Sequence, residues 1–269
     1  MARSLNGENL LYYFFLFWYA CGVVLLSFDL LPASLQWANA VFLMLAGLVG
    51  SLYFLSAYGR ITGAAFIGTI FIISMLAEGL GVHFGFLFGS YNYTSDFGWQ
   101  LFGVPVAIGF AWLLVISTSH VIAVWLTRTF YKKNGAVHSI LYILTGAVFT
   151  VGMDLIIDPV AFHVKQYWIW DEGLSFYYGV PLQNFSGWFL LALFFHLIIY
   201  IVLRLQNNWP EAISGYRSRR IVLLYILVTG MFMLLGLLNG LWLASFLALV
   251  FILSAAFVYF GSATEREET

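Results

Sequence analysis

The chain has 269 residues, of which 62% are hydrophobic and only 9% charged. That balance excludes a soluble globule and reads as an all-α, polytopic membrane protein. The formal net charge is −1, and a single cysteine excludes an internal disulfide.

A transmembrane helix needs about 20 apolar residues. Eight stretches qualify, at roughly 10–31, 37–58, 61–80, 103–126, 139–158, 185–204, 221–238 and 241–260. With their short links they use up the chain, so residues 1–269 read as one membrane domain. Eight spans put both termini on one side, together with the links near Arg60, 127–138 and 205–220. Of the eleven Lys and Arg residues, every one but Lys165 falls on that side. By the positive-inside rule both termini are cytoplasmic, in a multi-pass protein of the cell membrane. Asp29, Glu78, Asp96, Asp154, Asp158, Asp171 and Glu172 fall on the outer side.

The first two spans carry few polar groups, and Asp29 reads as an interfacial cap. Glu78, near the end of the third span, has apolar sequence on both sides. It therefore sits below the headgroups and faces other helices, because an acid in lipid is costly. The link from Gly81 to Leu101, with Gly89-Ser90-Tyr91-Asn92-Tyr93-Thr94, is too aromatic for a free linker and belongs in the interface. In the fourth span Ser117-Thr118-Ser119-His120 reads as helix packing by small polar residues. Asp154 and Asp158 end the fifth span four residues apart, on one helical face. Their alternative reading is as helix caps or water-facing acids. Beyond them come Trp168, Trp170, Tyr177, Tyr178, a Gly179-Val180-Pro181 turn, then Asn184 and Trp188. His196 in the sixth span reads as an interhelical hydrogen-bonding group.

A tandem repeat of helix pairs emerges, with units at about 61–126 and 139–204 flanked by the pairs 10–58 and 221–260. A shift of 76 places Glu78 on Asp154, Gly103-Val104-Pro105 on Gly179-Val180-Pro181, and Trp112 on Trp188. With one inserted residue, Tyr91 and Tyr93 fall on Trp168 and Trp170. Each unit is a helix ending in a carboxylate, an aromatic link, and a Pro-led helix carrying Trp. The carboxylates then meet at one membrane depth.

Three chemistries compete for this constellation. Membrane di-iron oxygenases need closely spaced histidines, whereas the five here are scattered, so no metal is expected. Prenyl transfer could use Asp154 and Asp158 to hold Mg²⁺ and a diphosphate, but Lys165 is the only basic residue on that side. Proton chemistry on an apolar substrate fits best. A carboxylic acid desolvated among aromatics keeps its proton at neutral pH. It can protonate a trisubstituted alkene, aromatic faces can stabilise the tertiary cation, and a second carboxylate can activate water. A non-enzymatic lipid or pigment carrier would use the aromatic cleft without the acids.

The motifs Glu78-Gly79, Phe88-Gly89-Ser90-Tyr91-Asn92-Tyr93, Phe102-Gly103-Val104-Pro105, Met153-Asp154-x-x-x-Asp158-Pro159, Trp168-x-Trp170, Tyr178-Gly179-Val180-Pro181 and Asn184-Phe185-x-Gly187-Trp188 resemble the carotenoid biosynthesis membrane proteins. The resemblance covers about residues 75–190; outside it the flanking helices are similar only in hydropathy. That family includes acyclic carotenoid 1,2-hydratases acting on γ-carotene and bisanhydrobacterioruberin. The resemblance implies hydration of a terminal isopropylidene double bond to a tertiary alcohol, without a redox cofactor. The expected catalytic residues are Glu78, Asp154 and Asp158, with Asp154 as the first choice of proton donor. Tyr91, Tyr93, Trp112, Trp168, Trp170, Tyr178, Asn184 and Trp188 are expected to bind substrate. The expected partners are a hydrophobic carotenoid, water and the bilayer, with no nucleic acid; the oligomeric state stays open.

Overall fold

A computed structural model describes residues 2–94, 97–131, 133–170, 175, 177–210 and 215–264. Asp96, Lys132, Asp171, Glu172 and Arg266 lie outside the described residues. Among the described residues eight long helices follow one another: α1 (Ala2–Ser27), α2 (Trp37–Tyr58), α3 (Arg60–Phe84), α4 (Val106–Tyr131), α5 (Gly135–Pro159), α6 (Leu182–Leu205), α7 (Tyr216–Leu238) and α8 (Trp242–Thr264). Each is long and apolar enough to cross a bilayer. A helix is the form such sequence must take there, because it satisfies its own backbone polar groups.

The bundle is built around α4. In α4, 83% of the most apolar stretch is buried, against 17% in α1. The close approach of α2 to α4 depends on missing side chains. A Cβ on Gly47 would strike Phe110, and one on Gly50 would strike Ser117. Small residues at such contacts let two backbones pack tightly where no hydrophobic effect drives helices together.

Between the helices, two links fold back over one end of the bundle. Strand β1 (Tyr91–Tyr93) pairs antiparallel with β4 (Trp168–Trp170), in the register Tyr91 to Trp170 and Tyr93 to Trp168. Strands β2 (Gln100–Leu101) and β3 (Val104–Pro105) form a small hairpin just before α4. Phe102-Gly103 and Tyr178-Gly179 turn with nearly the same positive φ values, 51° and 77° against 50° and 74°.

The fifth span runs further than hydropathy indicates. Helix α5 contains Pro159 and continues as a π-helical turn over Val160–Val164. Proline has no N–H to give the carbonyl four residues back. The Tyr177 hydroxyl donates to that carbonyl, Leu155 O, at 2.7 Å. This replacement partner lets the helix pass through the proline and keeps Asp158 inside the bundle.

Candidate active site

Glu78 and Asp158 meet at the wall of one cavity of about 260 Å³ beneath the β1–β4 ribbon. Glu78 lies on α3 and is 4% exposed; Asp154 and Asp158 lie on α5 and are 0% and 2% exposed. Buried carboxyls need hydrogen-bond partners, and each acid finds them nearby in sequence. Glu78 accepts from the Tyr91 hydroxyl, from the Tyr93 hydroxyl at 2.9 Å and from Trp112 Nε1 at 3.0 Å. Asn184, at the start of α6, donates through Nδ2 to Asp158 and, at 3.2 Å, to Asp154. One amide thus bridges the two aspartates.

The aromatic residues close around the acids. Trp112 and Trp188 stack with ring centroids 4.3 Å apart and planes at 22°. Tyr91 packs on Trp170 at 4.8 Å, and Tyr93 meets Trp168 edge-on at 5.8 Å. Burial, followed by the neighbouring Glu78 charge, holds the Tyr91 and Tyr93 phenols well above the usual phenol range. They therefore remain donors to Glu78 at any ordinary pH.

Of the residues singled out from sequence, Glu78, Tyr91, Tyr93, Trp112, Asp158, Trp168, Trp170, Asn184 and Trp188 line the cavity. Two stand apart from it. Asp154 is fully buried away from the cavity and hydrogen-bonds with Asn184 and Asp158. Positions four apart on a helix differ by about 40° in direction, enough to turn Asp158 to the cavity and Asp154 away from it. Tyr178 faces α8, where its hydroxyl accepts from Leu243 N at 3.0 Å. Hydropathy gave no sign that α1 and α7 contribute walls. Phe17, Trp18 and Cys21 come from α1, and Met231, Phe232 and Leu235 from α7. Lys165 also reaches the cavity, and burial pulls its ammonium below the usual lysine range despite nearby Asp29.

A family model described as "Carotenoid biosynthesis protein" matches residues 38–255. The chain belongs to that family. The match begins in α2 and ends in α8, so it extends well beyond residues 75–190 and includes helices whose individual motifs carry no signal. The description ties the family to carotenoid biosynthesis. Over 114 residues it is 28% identical to the bisanhydrobacterioruberin hydratase of Haloarcula japonica, covering 42% of this chain and 36% of that protein. The match therefore spans little more than a third of that relative's length. No solved structure matches the chain.

Proposed function

We propose that the protein hydrates the terminal isopropylidene double bond of an acyclic carotenoid, giving a tertiary alcohol. The observation that carries this reading is the pair of carboxyls, Asp158 and Glu78, facing one aromatic and largely apolar cavity. The distant hydratase relative supports the same class of reaction.

Asp158 takes the role of proton donor in place of Asp154, because it is the aspartate that reaches the cavity. Asp154 shares the Asn184 amide with it and holds its orientation. Two adjacent carboxyls cannot both ionise cheaply, so the pair retains a proton. That proton adds to the less substituted alkene carbon, and the π electrons form the new C–H bond. The positive charge is left on the tertiary carbon, against the Trp112 and Trp188 faces and the Glu78 carboxylate. Aromatic faces contribute roughly 0.5–2 kcal/mol each to such a cation. Water adds its oxygen to the tertiary carbon and gives a proton to Glu78. The proton returns to the aspartate pair before the next turnover, so one water is consumed and no electrons change hands.

An anaerobic assay in deuterium oxide and ¹⁸O-labelled water tests this directly. Labelled oxygen is expected at the tertiary carbon, with one deuterium on its neighbour. Product that forms only when dioxygen is admitted, or that carries no oxygen label from the water, would overturn the reading.

Two structural readings accompany this function. The pairs α3–α4 and α5–α6 are taken as tandem repeats. The matching turns at Phe102-Gly103 and Tyr178-Gly179 support this. So does the β1–β4 pairing, which joins the strands that the repeat aligns. Both termini are taken as cytoplasmic, from the distribution of basic residues. With Cys21 replaced, cysteines at Asn134 and Trp99 should then label from opposite faces, and labelling from one face would refute the orientation.

A further inference from the structure

The acids line the cavity where its residues are buried, and other parts of its lining are exposed. Phe17, Trp18, Cys21, Gly22, Leu25 and Leu26 line it from one face of α1, as their helical spacing requires. Several lining residues are also exposed on the outside of the bundle: Phe17 at 63%, Trp37 at 50% and Leu35 at 38%. Cys21 is exposed too. A side chain that both lines the cavity and faces outward marks its mouth.

The depth of this mouth decides what lies outside it. Cys21 and Glu78 each lie six residues before the ends of their helices, at Ser27 and Phe84. That is about 9 Å of helix in each case. The mouth therefore runs from Leu35 and Trp37, beside the helix ends, past the level of the acids to Phe17 deeper in the apolar thickness, and these rim residues are apolar. The cavity's 260 Å³ falls below the roughly 300–1,000 Å³ that encloses a whole drug-sized ligand. It admits the end of a long chain and leaves the remainder outside.

We propose that the cavity opens sideways into the bilayer along the Phe17–Leu26 face of α1. This mouth takes the long isoprenoid chain while only the end group reaches Asp158 and Glu78. The substrate class rests on the hydratase reading; the mouth itself does not.

Gly22 provides the test, because no atom lies within 4 Å of a Cβ built there. A side chain added there starts into open space. Gly22→Trp is compared with Val24→Trp, whose site on the same helix is 52% exposed and lines no part of the cavity. Each protein is purified from a lycopene-accumulating host, and bound lycopene per protein and hydrated product are measured. Conversion of geranylacetone, a short alkene with the same end group, is measured in parallel. Gly22→Trp should bind and convert lycopene at least about tenfold less well, a difference of about 1.4 kcal/mol, and should still convert geranylacetone. Val24→Trp should match the parent. Unchanged lycopene binding in Gly22→Trp, an equal loss in Val24→Trp, or an equal loss of the short substrate would each overturn the mouth. If the parent binds lycopene but hydrates neither substrate, the hydratase reading fails, and the binding ratio still decides the mouth.

Discussion

Two buried polar clusters occupy this bundle, and they differ in what lies beside them. At one end, Glu78 and Asp158 border open volume. Towards the other end, His120 is fully buried between the hydroxyls of Tyr58 and Tyr142, each 2.6 Å from a ring nitrogen. Close by, Ser119 contacts His196 Nε2 at 3.2 Å and accepts from Thr150 at 3.1 Å, while His196 Nδ1 donates to Ala192 O at 2.8 Å. None of these residues lines the cavity. Both clusters contain groups that could move protons, but only the first has room for a substrate. Titratable chemistry becomes a site where it meets space; without space it is a fastening between helices.

The acid cluster is most vulnerable at Asp158. Asp158→Asn keeps the shape and the bridge to Asn184 but removes the acid, so turnover should fall by about 10²–10⁴-fold while the protein stays folded. A carrier would keep most of its pigment transport in the same variant, as it would in Glu78→Gln. His120→Phe should do the reverse. It takes the ring-nitrogen partners from the Tyr58 and Tyr142 hydroxyls, lowering stability by about 1–3 kcal/mol with kcat per folded molecule unchanged. Thermal melting in detergent alongside product analysis separates the two outcomes.

Tyr93→Phe perturbs the acid cluster more gently. It removes one donor to a charged acceptor, about 1.5–3 kcal/mol, which should appear as a drop of about ten- to a hundredfold in kcat. Because the phenol stays protonated well past its usual range, that penalty should be constant between about pH 6 and 9. A penalty that vanishes at the alkaline end would contradict the donor role. The smallest effect is expected from Tyr177→Phe, which leaves Leu155 O without its replacement donor. It should cost about 1 kcal/mol of stability and little activity.

Much of this was readable from composition. Apolar runs locate the eight helices, and an acid with apolar flanks, such as Glu78, is bound to be buried. The resemblance at Met153-Asp154-x-x-x-Asp158-Pro159 likewise led to the right family. Other features leave no such trace. Three-residue strands like Tyr91–Tyr93 are too short for any periodicity, so their antiparallel pairing with Trp168–Trp170 emerges only in three dimensions. Spacing places Asp154 and Asp158 on one face, but the small angular offset that turns only one to the cavity depends on how α6 packs. Hydropathy could not identify the inward face of α1 either, since lipid and an apolar substrate select the same side chains. Pro159 looks like a helix end until Tyr177, eighteen positions later, supplies the missing donor.

The partners of each acid also bear on how the protein is made. Glu78 is held by Tyr91, Tyr93 and Trp112, all within the α3–α4 pair. Asp154 and Asp158 are held by Asn184, within the α5–α6 pair. A nascent chain emerging from its N-terminus can therefore insert each pair with its own carboxyl already hydrogen-bonded, sparing it the cost of a bare acid in lipid. The β1–β4 ribbon joins the two pairs only after Trp170 has been synthesised. Until Asn184 follows, the membrane holds only one capped pair, and the cavity lacks the wall that Asp158 and Asn184 give it.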